Sequence, residues 1–252
     1  TLTLSGTQAQ INAALGTVSY KGNANYAGSD TLTMVSTDSA GTPLSDTDTV
    51  AITVTGVNDA PVNTVPGPQT TNEDTNKVIA GLQVADADVG SNTMTVTLAV
   101  THGTLTLLPG TGVTLTGNNT ASVQLSGTLS AVNALLATAN AVTYKPTANY
   151  FGSAELTMSS SDGVNTTVST VAIGVNPVND APTGAHKTIT LLEDGSRTLA
   201  AADFGFADSA GETHTLNAVI ITALPAAGTL TLGGSPVTLN QSIPAASLAN
   251  LV

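Results

Sequence analysis

The feature that most constrains this chain is that it repeats itself. Val57-Asn58-Asp59-Ala60-Pro61 returns 121 residues later as Val178-Asn179-Asp180-Ala181-Pro182, and Leu4-Ser5-Gly6-Thr7 returns as Leu125-Ser126-Gly127-Thr128 at the same offset. Asn25-Tyr26-x-Gly28-Ser29 comes back as Asn149-Tyr150-x-Gly152-Ser153, and Leu32-Thr33-Met34 as Leu156-Thr157-Met158, both at an offset of 124. The three extra residues enter between Ala137 and Val142 and are given back after Asp162, two places that read as loops. Glu73-Asp74 recurs as Glu193-Asp194, and Gly103-Thr104-Leu105-Thr106-Leu107 is echoed by Gly228-Thr229-Leu230-Thr231-Leu232. A fixed period of this kind is the mark of one module stacked end to end. It divides the 252 residues into the C-terminal half of a first repeat (1–61), a complete second repeat (62–182) and the N-terminal part of a third (183–252).

Within a repeat, apolar and polar residues alternate, as in Thr49-Val50-Ala51-Ile52-Thr53-Val54 and Met94-Thr95-Val96-Thr97-Leu98. That is the period of a strand with one buried face. Clusters of Gly, Asn, Asp and Pro break these runs at short intervals, which predicts antiparallel sandwiches of about seven strands. Spacings of three to four at Gln8 to Leu15 and at Leu129 to Asn140 predict one or two helical turns crossing between sheets. Aromatic residues make up 3% and Trp is absent, so the core must be assembled from small and β-branched side chains, which favours many short strands. The expected fold is all-β: tandem Greek-key β-sandwich repeats forming a rod.

Acidic residues outnumber basic ones 17 to 5, a formal charge of -12. Such a surface repels nucleic acid and anionic membranes and attracts cations. The chain has no cysteine, which removes disulfides, thiolate metal sites and cysteine nucleophiles. An exported module without disulfides needs another staple, and metal ions are the usual one. No run approaches the roughly 20 apolar residues that span a bilayer, so any export signal or anchor is expected outside this segment. Serine nucleophile elbow, phosphate loop and glycine-rich calcium nonapeptide are all missing. Asp86-x-Asp88-x-Gly90 fails as an EF-hand, with Thr97 where the bidentate glutamate belongs. Enzymatic activity is not expected, because the acids fall at repeat ends instead of converging. His102, His186 and His214 share no position between repeats and read as surface residues. Tyr26 and Tyr150, at equivalent positions, read as core or corner tyrosines.

From Leu32 to Pro61 the chain resembles the C-terminal half of a cadherin repeat, through Asp38-x-x-Gly41-x-Pro43-Leu44-Ser45, the strand Val50-Ala51-Ile52-Thr53-Val54 and the Asn58-Asp59-x-Pro61 linker. The Asn-Tyr-x-Gly segments and Val-Asn-Asp-Ala-Pro joints resemble more closely the tandem cadherin-like repeats of giant bacterial surface adhesins. That resemblance implies calcium at each joint, bound by oxygens of loops and linkers. Carried onto this sequence, the first joint would use Asn58, Asp59, Asp86, Asp88 and Asp162. Asp86 and Asp88, two apart on an extended strand end, fall on one side. The second joint would use Glu73, Asn179, Asp180 and Asp208, with Glu212. Asp38 and Glu193 would serve further joints. The family's acidic pair before the tyrosine-containing strand is missing, and Ser209-Ala210 stands where a second aspartate is expected, implying fewer or weaker calcium ions at the second joint. Asp46, Asp48 and Asp203 read as solvated loop charges.

The resemblance implies an extracellular or cell-surface location and a spacer role in an adhesin stalk or fibre. Its partners would be neighbouring repeats of one long chain, or identical chains in a fibre. Two alternatives stay open: a filament subunit joined head to tail by strand complementation, the two end fragments together making one sandwich, and a direct homophilic or carbohydrate-binding module. Absence of Trp argues against the last.

Overall fold

The computed structural model describes residues 2–208 and 212–252. The fold is all-β, its strands broken only by two α-helices and two short 3-10 turns among the described residues. The first helix, α1 (Gln8–Leu15), opens on a capping box. Thr7 Oγ1 accepts the Gln10 N–H at 3.4 Å and Gln10 Oε1 accepts the Thr7 N–H at 2.9 Å. A long hairpin follows, β1 (Gly28–Thr37) against β2 (Ser45–Val54), paired from Gly28 with Val54 to Thr37 with Ser45. Every described residue before Pro61 is at least partly exposed.

Between residues 62 and 182 the chain closes a sandwich. Its elements are β3 (Val62–Thr64), β4 (Gln69–Asn72), β5 (Lys77–Val78), β6 (Gln83–Ala85), β7 (Thr93–Val100), β8 (Gly103–Leu107), β9 (Val113–Thr116), β10 (Ser122–Thr128), α2 (Leu129–Leu136), β11 (Val142–Pro146), β12 (Gly152–Ser161) and β13 (Thr166–Asn176). One sheet runs in the order β4-β13-β12-β7-β10-β9 and the other β5-β11-β8, with β3 and β6 pairing apart. The chain changes sheet between β4 and β5, β7 and β8, β8 and β9, β10 and β11, and β11 and β12, so sequence neighbours become partners of distant strands, as Greek-key connection requires. These strands number eleven against the expected seven or so. The chain breaks at Pro66-Gly67-Pro68, where two prolines cannot donate to a ladder, and β9 with β10 adds an extra hairpin.

The core of this sandwich alternates as expected. Met94, Val96 and Leu98 of β7, Leu156 and Met158 of β12, Leu105 and Leu107 of β8 and Tyr144 of β11 are buried, while the threonines between them reach outward. Val132, Leu135 and Leu136 bring α2 onto the same cluster. Polar side chains seal it where the ladders stop. Asn133 of α2 accepts the Val84 N–H at 3.0 Å and donates to the Val84 carbonyl at 2.7 Å, standing in for a strand beside β6. Asn118 brackets the Leu107 backbone in the same way.

The repeat in the sequence becomes a repeat of local geometry. Gln8–Leu15 and Leu129–Leu136 are both capped by a threonine, and hairpin β1–β2 has the place that β12–β13 takes in the sandwich. Tyr26 and Tyr150 are corner residues, and Tyr150 also packs against the core. Their hydroxyls donate to the Ser29 and Ser153 carbonyls at 2.5 and 2.6 Å, after an asparagine at φ 56° in each case. Gly152, at φ 128°, must be glycine here, because a Cβ would also lie 3.3 Å from the Tyr150 hydroxyl. His102, exposed as expected, stacks on the Tyr150 ring at 4.0 Å.

Beyond Pro182 the strands are short: β14 (Ala218–Ile220), β15 (Thr231–Leu232), β16 (Ser235–Pro236) and β17 (Ser242–Pro244), in two pairs. Gly103 to Leu107 is strand throughout, whereas its echo Gly228 to Leu232 is strand only in its last two residues. Val237, Ile243, Leu248 and Leu251 make a second core, with Leu199, Phe204 and Leu216 packed on it.

Asp203, expected as a solvated loop charge, is instead 9% exposed and bound by Lys187 at 2.5 Å, Arg197 at 2.9 Å and the Ala200 N–H at 2.9 Å. Lys187 first, then the Ala200 N–H and the Arg197 charge, hold its carboxyl at about 2, against the opposing effect of burial. A carboxyl depressed in the folded state stabilises that state above its unfolded value, and the contribution disappears as pH falls through the folded one. Acid unfolding of this unit is therefore expected to steepen between about pH 4 and 2. Comparison of acid midpoints of the chain with those of Asp203→Asn, followed by circular dichroism, checks this, the variant having lost that pH dependence.

Candidate metal centres

Both linkers are wired alike. At the first, Asn58 Nδ2 donates to the Asp59 carbonyl at 3.0 Å, and at the second Asn179 Nδ2 donates to the Asp180 carbonyl at 3.0 Å. An asparagine side chain that closes on the next residue holds the linker turn before its proline. The following N–H then reaches a carboxylate of the next unit: Asp59 to Asp88 Oδ2 at 3.2 Å, and Asp180 to the Glu212 oxygens at 3.2 and 3.3 Å.

Around the first linker, Asp86 Oδ1 accepts the Asp88 N–H at 3.0 Å and the Val89 N–H at 2.8 Å, a turn that follows directly on β6. Asp162, in the β12–β13 turn, accepts the Val164 and Asn165 N–H groups on Oδ1 at 2.7 and 2.6 Å, and Asn58 Nδ2 on Oδ2 at 2.7 Å. The Asn58 amide, followed by those two backbone donors, holds the Asp162 carboxyl below the usual range, so it carries its charge at neutral pH. Asp86 Oδ2 is buried without a hydrogen-bond partner. The structure thus brings Asn58, Asp59, Asp86, Asp88 and Asp162 together around one linker.

Around the second linker, Glu73 is buried just past β4, where its N–H donates to the Asn176 carbonyl at 2.9 Å and its Oε1 accepts the Val178 N–H at 2.6 Å. Asp208 and Glu212 gather beside Asp180, whose Oδ2 is also buried without a partner. Ser209 and Ala210, where the sequence lacks its second aspartate, lie outside the described residues. The acceptor that Asp88 supplies at the first linker comes here from Glu212. Asp38 and Glu193 stand apart from both groups: Asp38 is exposed and accepts the Ala40 and Leu44 N–H groups in its own loop, and Glu193 is exposed.

One residue of this region escaped the sequence reading. His214 was expected at the surface without a role, yet its Nδ1 lies 2.8 Å from Asp208 Oδ2 and 3.8 Å from Glu212 Oε2. Among the described residues this trio alone places three titratable ligand atoms within 4.8 Å of one another. The acids of the first linker are spread wider, and Asp86 Oδ1, Asp88 Oδ2 and Asp162 Oδ1 are occupied by backbone N–H donors. An acidic group of this composition can hold a metal ion. No helix among the described residues is long and apolar enough to cross a membrane.

No protein-family model matches the chain. A stretch of 109 residues, 42% of the chain, is 38% identical to integrin beta-like protein E of Dictyostelium discoideum, and covers 5% of that protein. Among solved structures, a protocadherin gammaB7 fragment matches over 88% of this chain and 52% of its own, at 17% identity and a TM-score of 0.32. A type I cohesin from Pseudobacteroides cellulosolvens matches over 50% of this chain and 97% of its own, at 13% identity and a TM-score of 0.29. An endo-fucoidan hydrolase of glycoside hydrolase family 107 matches over 61% of this chain and 19% of its own, at 21% identity and a TM-score of 0.21.

Proposed function

We propose that the chain is a run of cadherin-like spacer repeats, 1–61, 62–182 and 183–252, from an extracellular or cell-surface adhesion protein of the bacterial giant-adhesin kind, with metal-stiffened joints and no enzymatic role. The observation that carries this reading is the shared wiring of the two linkers. Each sends a backbone N–H to a carboxylate of the next unit, and each region has one buried carboxylate oxygen with no hydrogen-bond partner, Asp86 Oδ2 and Asp180 Oδ2. A buried charged oxygen left unpaired costs several kcal/mol by order of magnitude, and a cation removes that cost.

Calcium suits the first joint, where Asn58, Asp59, Asp86, Asp88 and Asp162 offer the hard oxygens it prefers. The second joint has Glu73, Asn179, Asp180, Asp208 and Glu212; it lacks a counterpart of Asp88, because Ser209-Ala210 follows Asp208, and holds calcium more weakly. Asp38 and Glu193 are the corresponding ligands of further joints. Bound calcium would neutralise clustered carboxylates and fix the angle between units, turning a string into a rod.

Calcium titration of the whole chain tests this. At a calcium concentration about 100 times its Kd, melting is expected to rise by roughly 10 °C. Small-angle scattering is expected to record a longer particle, and chelator to reverse both. Unchanged melting and length would reject the reading, and Asp86→Asn is expected to blunt both responses.

A second reading rests on the β1–β2 hairpin. Leu32, Met34 and Val50 are 47%, 40% and 55% exposed, whereas their counterparts Leu156, Met158 and Val171 are buried at 2% or less. This apolar face fits a complementary half-sandwich, such as residues 183–252 of an identical chain would supply. Sedimentation that gives growing mass with concentration, abolished by Leu32→Asp, would favour a head-to-tail filament; constant monomer mass would reject it.

A further inference from the structure

At the second joint the donor set changes chemical class. The side chains of Asp208 and Glu212 are each 7% exposed, and the His214 imidazole, 57% exposed, closes over them from the solvent side. Glu212 accepts the Asp180 N–H on both oxygens, the kind of outer hydrogen bond that fixes a ligand's orientation. Asp180 lines the same cleft as Asp208 and His214, and its Oδ2 is buried without a hydrogen-bond partner.

We infer that this cluster is a site for a borderline divalent transition ion, best fitted by Zn2+, with Asp208, Glu212 and His214 as ligands and Asp180 as the fourth. Calcium takes six to eight oxygens, and an imidazole nitrogen adds little to its binding. Imidazole among carboxylates suits zinc and its neighbours in the series. Four-coordinate zinc, about 2.1 Å from each ligand, spaces them about 3.4 Å apart. The His214 to Asp208 and His214 to Glu212 separations of 2.8 and 3.8 Å bracket that spacing. A plain histidine–aspartate ion pair would leave the second buried carboxylate and the Asp180 oxygen unexplained. The site uses His214, which the calcium reading leaves out; at this joint zinc displaces the weakly held calcium from Asp180, Asp208 and Glu212, and the site stands whether or not calcium binds the first joint.

The test is calorimetric titration of Zn2+ into the whole chain with calcium held at about 1 mM, the range of extracellular calcium modules. One zinc per chain is expected, and Co2+ in its place is expected to give the intense visible bands of a low-coordinate ion. His214→Ala, at an exposed position, is expected to weaken zinc binding at least about 100-fold and abolish the cobalt bands. The His102→Ala/His186→Ala double variant is expected to leave both intact. Zinc binding weaker than about 10 μM, or unchanged affinity in His214→Ala, overturns the proposal. Particle length and melting with calcium alone, measured on the same samples, report on the calcium joint separately, so either reading can fail without the other.

Discussion

Tyr144→Ala is expected to destabilise the central sandwich by about 3–5 kcal/mol, enough to leave much of it unfolded at 37 °C. Tyr144 is the largest fully buried side chain of a core otherwise made of Leu, Val, Ile, Met and Ala. Its hydroxyl donates to the His102 carbonyl at 2.8 Å, and burial raises its pKa. Tyr144→Phe separates the two contributions: it keeps the ring, loses the hydrogen bond, and is expected to cost only about 1 kcal/mol. Urea unfolding of both variants checks this, since nearly equal losses would mean that the hydrogen bond, not the ring, dominates.

The second large effect is expected at Asn133. Its side chain satisfies both the N–H and the carbonyl of Val84, a buried residue of β6. Asn133→Ala leaves that donor and acceptor without a partner, at about 1–3 kcal/mol for each group. Alanine favours the helix slightly, by a few tenths of a kcal/mol, so the net loss is expected at about 2–5 kcal/mol. Hydrogen exchange localises it: the Val84 amide is expected to lose protection well beyond the global change. Unaltered protection there would mean that water replaces the side chain freely.

The repeating period made the architecture legible, because five identical residues at a fixed offset leave few other folds. The alternation of Met94, Val96 and Leu98 then pointed one face of β7 inward, as the structure has it. Strand number was harder to read, since the break at Pro66-Gly67-Pro68 divides what reads as one strand into β3 and β4. Around the joints, the repeated Asn-Asp motif and the Asp86, Asp88 pair stood out because both recur or sit in phase. His214 did not, having no histidine counterpart in the preceding repeat, and its meaning comes from its place 2.8 Å from Asp208. Asp203 was misread because its partners Lys187 and Arg197 lie 16 and 6 residues away. A signal was present: two of only five basic residues fall within that short stretch.

The parallel pairing of β4 with β13 has a mechanical consequence. Strand β4 lies near the entry of the central sandwich and β13 at its exit, and they are neighbours in register from Gln69 with Ile173 to Asn72 with Asn176. Glu73 continues the attachment with its N–H on Asn176 and its carboxylate on Val178. Tension applied along the chain therefore pulls these two strands in opposite directions along their length. Their hydrogen bonds are loaded together in shear and cannot be opened one at a time like a zipper. A tether built of such units resists sudden stretching at the point where each unit hands its load to the next.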